Sequence, residues 1–339
     1  MSEGQNTPSL RDVYRPYFSI GAAVNPRSLV SHADLLRTHF NSVTAENEMK
    51  FEVIHPEEDV YRFDHADALV QFAKDNGMRV RGHTLVWHNQ TPDWVFVDDA
   101  GQPASADKVR RRMRAHMETV LGRYQNDVYC WDVVNEAISD HADAYLRPSR
   151  WMTALGDGYI AEAFRCAHEI APSALLFYND YNETKPDKRD KIYRLVAGLL
   201  DEGVPIHGIG MQGHWMMTEP SIEEIRDAIE KYASLGVQIH VTELDISVHE
   251  YVHEPDKSSA AARVFDERLE REQADRYEQL LQLFREYSRV IRNVTWWGIA
   301  DDETWRDNFP VKNRKDWPLM FNEQHQPKEA FWRAVNFAK

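Results

Sequence analysis

The segment HGIGMQGHWMMTEPSIEEIRDAIEKYASLGVQIHVTELDIS, residues 207–247, decides the fold. It opens on a β-rich run at 207–215, passes through an amphipathic stretch at 222–234, stops at Gly236 and enters a second β-rich run at 238–247. This is one strand–helix–strand unit, and its pattern recurs in both directions along the chain. Further β-rich runs lie at 17–24, 42–48, 79–88, 128–138, 174–182 and 294–301. Helical stretches fall at 29–40, 65–76, 107–124, 150–170, 188–201, 259–288 and 328–337, with Gly77, Pro172 and Gly203 acting as stops. Eight alternations of this kind predict an α/β fold of the (β/α)8 TIM-barrel type rather than an open doubly wound sheet. No low-complexity tract, linker or composition break divides the chain, so a single barrel domain over 1–339 is expected.

In such a barrel, chemistry sits at the carboxyl ends of the strands. Polar and aromatic residues gather there in seven of the eight repeats: Glu46, Asn47, Glu48 and Lys50; His83, Trp87 and His88; Asn135 and Glu136; Asn179, Asp180 and Tyr181; Gln212 and His214; Glu243 and Asp245; Trp297, Asp301 and Asp302. A polar group buried without a partner costs several kcal/mol. One such strand end is ordinary, whereas seven in register point to a site. Glu136 and Glu243 close the fourth and seventh strands, on opposite sides of the barrel mouth. Facing carboxylates suit glycoside hydrolysis, in which one protonates the leaving oxygen and the other attacks the anomeric carbon or activates water.

Composition narrows the substrate. Against 55 Asp plus Glu stand 40 Lys plus Arg, a formal charge of -15, which argues against nucleic acid because phosphate binding rests on Lys and Arg. Ten Trp, 14 Tyr and 14 Phe leave flat rings available for stacking on sugars. No run approaches the ~18 consecutive apolar residues of a membrane span.

The motifs WDVVNEAI (131–138), HVTELDIS (240–247), GHTLVWHNQTPDW (82–94), TAENEMK (44–50) and GIGMQGHW (208–215) resemble the family-10 glycoside hydrolases, the endo-1,4-β-xylanases, over nearly the whole chain and in the same order. The resemblance implies a retaining double displacement, with Glu136 as acid/base and Glu243 as nucleophile ~5–5.5 Å apart. It assigns His214 and Asp245 to support of the nucleophile, and Asn135 and Gln212 to the sugar being cleaved. Glu46, Asn47 and Lys50 then hold the non-reducing side, His83 and Trp87 line the cleavage subsite, Trp297 and Trp305 form an aromatic lid, and Tyr181 lies on the leaving-group side. Strand alternation is expected to place Glu243 with Asp245, and Gln212 with His214, on one face. The charge of Glu243 is expected to raise the pKa of Glu136. The substrate implied is xylan or xylo-oligosaccharide, with no cofactor and no metal, on a monomer or homodimer. The rivals are a retaining glycosidase for another β-linked glycan, a silent sugar-binding protein and a metalloprotease.

Three motifs compete with this reading. His249-Glu250-Tyr251-Val252-His253 spells HExxH, but it alternates like an extended loop ahead of Pro255 rather than lying on a helix, so no zinc site is expected, and the 248–256 loop has no assigned role. Gly208-Ile209-Gly210-Met211-Gln212-Gly213 spells GxGxxG without opening a helix, and is read as close packing inside a strand. The charged run 266–272 is read as the solvated face of an amphipathic helix. Cys130 and Cys166 have no metal-ligand spacing, and the apolar 17–24 run lacks the positive flank of a signal peptide, so a cytoplasmic location is expected.

Overall fold

The computed structural model describes residues 7–250 and 263–337. The β-rich runs form β1 (Ser19–Val24), β2 (Ser42–Ala45), β3 (Arg79–Trp87), β4 (Val128–Asn135), β5 (Leu175–Asp180), β6 (Gly208–Met211), β7 (His214–Met216), β8 (Gln238–Ser247) and β9 (Ile291–Trp296). β1 to β5 pair in parallel with their successors, β6 pairs with β8, β8 with β9, and β9 with β1, so the sheet closes on itself. The short β7 stands outside this ring and extends the top of β8, with His214 opposite Asp245. The result is the expected (β/α)8 barrel. Its strands are buried almost throughout, as a parallel sheet covered by helices requires.

Helices cover the outside through their apolar stripes. The 207–247 unit has its helix at Ile222–Ala233, where Ser221 and Glu224 form a reciprocal capping box and Ile225, Ala228, Ile229 and Tyr232 are buried. The charged run at 266–272 is helical from Glu267 onward, with a buried apolar side. Asp266 caps the helix Glu267–Glu286 by accepting from the Leu269 amide, and Leu269, Tyr277, Leu280, Leu281 and Phe284 turn inward. Residues 259–262 of the helical expectation lie outside the described residues. The two ends of the described chain meet where the Tyr14 hydroxyl donates to the Ala334 carbonyl at 2.7 Å.

Several boundaries differ from expectation. The stretch 29–40 is two helices broken at His32, and 150–170 is two helices separated around Gly156, which takes the positive φ of +74°. The last strand runs Ile291–Trp296 instead of 294–301. Ile291 pairs with Ile239 and is fully buried although arginines flank it closely, while Gly298 (φ +133°) turns the chain away. Trp297, Asp301 and Asp302 therefore sit on the loop beyond the barrel.

The glycines of GxGxxG pack as expected. A Cβ on Gly208 would stand 2.0 Å from the Phe177 ring, and one on Gly210 would stand 2.1 Å from the Asn179 side-chain oxygen. Both values lie far inside van der Waals contact, so Gly210→Ala must displace Asn179. The expected outcome is a loss of about 1–3 kcal/mol in denaturant unfolding together with a reduced kcat. Wild-type values for both would refute the packing argument.

Candidate active site

The site begins where β4 ends. Glu136 leaves the strand with φ +57°, a conformation uncommon for a residue with a side chain. Its N–H is held by the Asn179 carbonyl at 2.9 Å, and its own carbonyl accepts from Arg147 Nε at 3.0 Å. These bonds turn the side chain over the barrel mouth, where Trp87 Nε1 donates to Oε2 at 2.8 Å and Gln212 Nε2 to Oε1 at 2.9 Å. Across the mouth, Glu243 on β8 receives Asn179 Nδ2 on Oε1 at 2.9 Å and lies 3.0 Å from His214 Nε2 through Oε2. Glu136 is 9% exposed and Glu243 5%.

One chain of amides connects the two carboxylates. Glu243 can only accept, so the Asn179 amide must turn its nitrogen toward it. The second hydrogen of that nitrogen goes to the Asn135 oxygen at 2.9 Å, which Gln212 Nε2 also approaches at 3.4 Å on its way to Glu136. Thr242 completes the arrangement by donating to the Asn179 oxygen at 2.7 Å. The Asn135 nitrogen is thereby left 3.2 Å from Trp87 Nε1, whose single hydrogen already goes to Glu136.

The two carboxyls are biased in opposite directions. Burial, then the charge of Asp180, lifts Glu136 above its ordinary range, opposed by the Gln212 and Trp87 hydrogen bonds, and Glu243 adds a further push. The expected effect of Glu243 is present, but it follows burial and Asp180 in size. Burial acts on Glu243 as well, yet the His214 hydrogen bond, the His83 and His214 charges and the Asn179 bond together hold it below its ordinary value. His214 is pulled down by burial and lifted by Asp245 and Glu243, with a net rise to about 9, so it is an imidazolium at neutral pH. Asp245 lies 2.9 Å from His214 Nδ1 and receives Arg306 at 2.7 and 3.0 Å and Trp305 Nε1 at 2.7 Å. Against burial, Arg306 and His214 hold it at about 2.

Gln212 and His214 do reach one cleft, although not by strand alternation. β6 ends at Met211, Gly213 turns the chain at φ +77°, and His214 starts β7. Lys50 donates to Asn47 at 3.0 Å and lies 5.0 Å over the Trp87 ring, and burial lowers its pKa against the raising charges of Glu243, Glu46 and Glu136. Glu46 accepts from Asn25 at 3.0 Å. His83 lies 2.8 Å from Asp132 through Nδ1, and Trp297 stands edge-on to it with ring centres 5.4 Å apart. Trp297 is nearly buried, whereas Trp305 is half-buried beside the His214 ring at 4.7 Å. Tyr181 lies on the Glu136 side, hydrogen-bonded to Asp140 and 2.8 Å from Arg147. All the expected residues thus gather around the barrel mouth.

Asn179, Asp132, Asp180, Arg147 and Arg306 have roles that the sequence alone did not assign. Asp132 pairs with Arg81 in the barrel interior and orients His83. Of the decoys, His249 lies 2.9 Å from the Lys315 carbonyl through Nε2, and 251–253 of HExxH fall outside the described residues.

The chain has close counterparts among known proteins. The model of glycosyl hydrolase family 10 matches residues 9–337. An endo-1,4-beta-xylanase of Geobacillus stearothermophilus is 56% identical over 331 residues, covering 97% of this chain and 98% of that one. Endo-1,4-beta-xylanase B of Paenibacillus barcinonensis is 54% identical, with 97% and 98% covered. The crystal structure of xylanase XynB from Paenibacillus barcinonensis, complexed with a conduramine derivative, superposes with a TM-score of 0.92 at 52% identity, covering 98% of this chain and 99% of that one. The barrel, its paired carboxylates and a match along almost the entire sequence lead to one conclusion: the chain belongs to glycosyl hydrolase family 10.

Proposed function

We propose that the protein is an endo-1,4-β-xylanase that cleaves internal β-1,4-xylosidic bonds of xylan or xylo-oligosaccharides with retention, through a covalent glycosyl-enzyme intermediate. The observation carrying this reading is a pair of buried carboxyls linked by one amide chain, with the pKa of Glu136 raised and that of Glu243 lowered by their surroundings. In the first step ionised Glu243 attacks the anomeric carbon as Glu136 gives its proton to the departing oxygen. In the second, Glu136 takes a proton from water, water attacks the same carbon, and Glu243 leaves.

His214 and Asn179 keep Glu243 oriented and ionised, with Asp245 behind His214. Asn135, its amide nitrogen free of Asn179, is placed to bind the sugar 2-hydroxyl, a contact that strengthens as the oxocarbenium-like transition state forms. Gln212 holds Glu136 and Asn135 in register. Glu46, Asn47 and Lys50 take the non-reducing sugars, His83 and Trp87 border the cleavage point, Trp297 and Trp305 offer apolar faces to the pyranose rings, and Tyr181 borders the leaving group. Proton NMR of xylo-oligosaccharide hydrolysis tests the stereochemistry: the β-anomer of the new reducing end appears first, and initial release of the α-anomer would overturn retention.

Asp180 provides a separate check on the acid. It lies 3.0 Å from Lys188 and follows burial as a cause of the raised Glu136 pKa. Asp180→Asn removes negative charge near Glu136, so the acid form is lost at lower pH. The alkaline limb of the kcat/KM profile therefore moves down while the acidic limb set by Glu243 stays. An unmoved alkaline limb would remove Asp180 from the account.

The same reading extends to a cytoplasmic enzyme, monomeric or homodimeric, acting on short imported xylo-oligosaccharides. Two buried, unpaired cysteines support a reducing environment. Comparable initial rates on xylotriose and insoluble xylan would count against the short substrate.

A further inference from the structure

We propose that His32, Asp302 and His325 form a binding site for a divalent cation of the zinc class, behind the Glu46 end of the cleft. Three distant parts of the chain bring them together. His32 sits at the break between the helices Ser28–Ser31 and Ala33–His39, Asp302 lies on the loop after β9, and His325 lies on the loop before the helix Glu329–Val335. The His32 Nε2 atom is 2.9 Å from one Asp302 oxygen and His325 Nε2 is 3.1 Å from the other. One ligand atom from each residue lies within 4.8 Å of the other two. A tetrahedral zinc site with bonds of ~2.0–2.2 Å has ligand edges near ~3.4 Å, so small side-chain rotations suffice to close it.

The surroundings of His32 accommodate a cation. Its Nδ1 is 2.8 Å from the Ser31 hydroxyl oxygen, and that hydroxyl donates its own hydrogen to the Arg27 carbonyl at 3.1 Å. With its hydrogen on Arg27, Ser31 accepts from the ring. In this tautomer of the neutral imidazole the hydrogen is on Nδ1, and the Nε2 lone pair points at a carboxylate oxygen, which is itself only an acceptor; with a hydrogen on Nε2 the ring instead donates to Asp302 when no ion is bound. A metal ion between them satisfies both, and an imidazole whose other nitrogen is fixed by an oxygen is the usual form of a metal-bound histidine. His32 is 2% exposed, so water has little access to that lone pair. Two imidazole nitrogens with one carboxylate oxygen suit zinc better than calcium or magnesium, with water at the fourth position. On the His325 side, the Asn322 side chain accepts the backbone amides of Gln324 and Gln326 at 2.9 Å each and holds the turn.

The position also gives the ion a structural effect. Glu303, next to Asp302, accepts from Asn25 at 2.8 Å and from Arg27 Nε at 3.1 Å, and Asn25 reaches Glu46. A cation on Asp302 would thus tie together the segments that carry the Glu46 wall. This departs from the metal-free enzyme expected from the sequence.

Untagged protein stripped with EDTA and then incubated with zinc tests the proposal by metal analysis after gel filtration and by thermal unfolding. The expected result is one zinc per chain and a melting midpoint raised by more than about 2 °C. Both are lost in His325→Gln, a half-exposed position whose metal-free protein stays folded, and both persist in the double variant Glu136→Gln/Glu243→Gln. No zinc uptake would mean a plain histidine–carboxylate cluster and would overturn the site. Uptake unchanged in His325→Gln, or lost in the double variant, would place the ion elsewhere. Uptake without a thermal shift would overturn its structural effect.

Discussion

Replacing Glu243 by alanine lowers kcat/KM by at least about 10^4-fold while xylo-oligosaccharide binding survives. The substitution removes the atom that attacks the sugar and leaves the sugar-binding side chains in place. It also leaves a preformed anion site, because Asn179 and His214 still direct their donors at the space vacated by the carboxylate. Azide is small enough to enter that space and attack the anomeric carbon from the same face. With an activated aryl xylobioside it restores turnover and gives the α-glycosyl azide, the product of one inversion. Independently, a 2-fluoro xylobiosyl substrate traps the wild-type enzyme, and peptide mass mapping finds the label on Glu243. A label on another residue, or none under conditions of proven turnover, would remove Glu243 as nucleophile.

The barrel could be read from the sequence because its information is repetitive. Each β-rich run and each helix stop carries a local signal, and an error of several residues, as at 291–296, leaves the count unchanged. Glu136 and Glu243 were legible for a related reason: a strand end at the carboxyl side of a barrel is a functional position whatever its rotamer. Asn179 was not. Three polar residues end β5, and period-two alternation says that Asn179 faces opposite to Asp180 without saying which faces the barrel axis. The structure places Asn179 inward on Glu243, and Asp180 on the other face with the Tyr178 hydroxyl 2.5 Å away.

Gln212 and His214 show the opposite limitation. Alternation predicts their shared cleft, and the structure reaches it by a turn at Gly213 that alternation does not contain. Arg306 lies in the three-residue 3-10 turn Trp305–Asp307, too short for any periodicity to mark a residue that will secure Asp245. Trp305 likewise combines two tasks that composition cannot separate: its ring stands beside His214 while its indole nitrogen holds Asp245. A Trp305→Phe variant would therefore disturb the nucleophile's support as well as sugar stacking.

Replacing Glu136 by alanine has an effect that depends on the leaving group. An alkoxide departing from a natural xylo-oligosaccharide needs a proton, so its kcat/KM falls by about 10^2–10^4-fold. A xylobioside of a strongly acidic phenol leaves without help and retains nearly all of its glycosylation rate. Its second step still requires a base for water, so the covalent intermediate accumulates, and both kcat and KM fall. The alkaline limb in kcat/KM also disappears for this activated substrate, because the group responsible for it is absent. Azide needs no base and attacks the accumulated intermediate from the Glu136 side; the product is the β-glycosyl azide, the anomer opposite to that from Glu243→Ala. Burial and Asp180 outrank Glu243 in raising the Glu136 pKa, so esterification of Glu243 relaxes only part of that rise. Base catalysis in the second step then rests on a carboxyl still biased toward its protonated form, and deglycosylation is where the pH dependence of wild-type kcat should be read. Equal losses on natural and activated substrates, or the same azide anomer from both variants, would contradict the division of labour between the two glutamates.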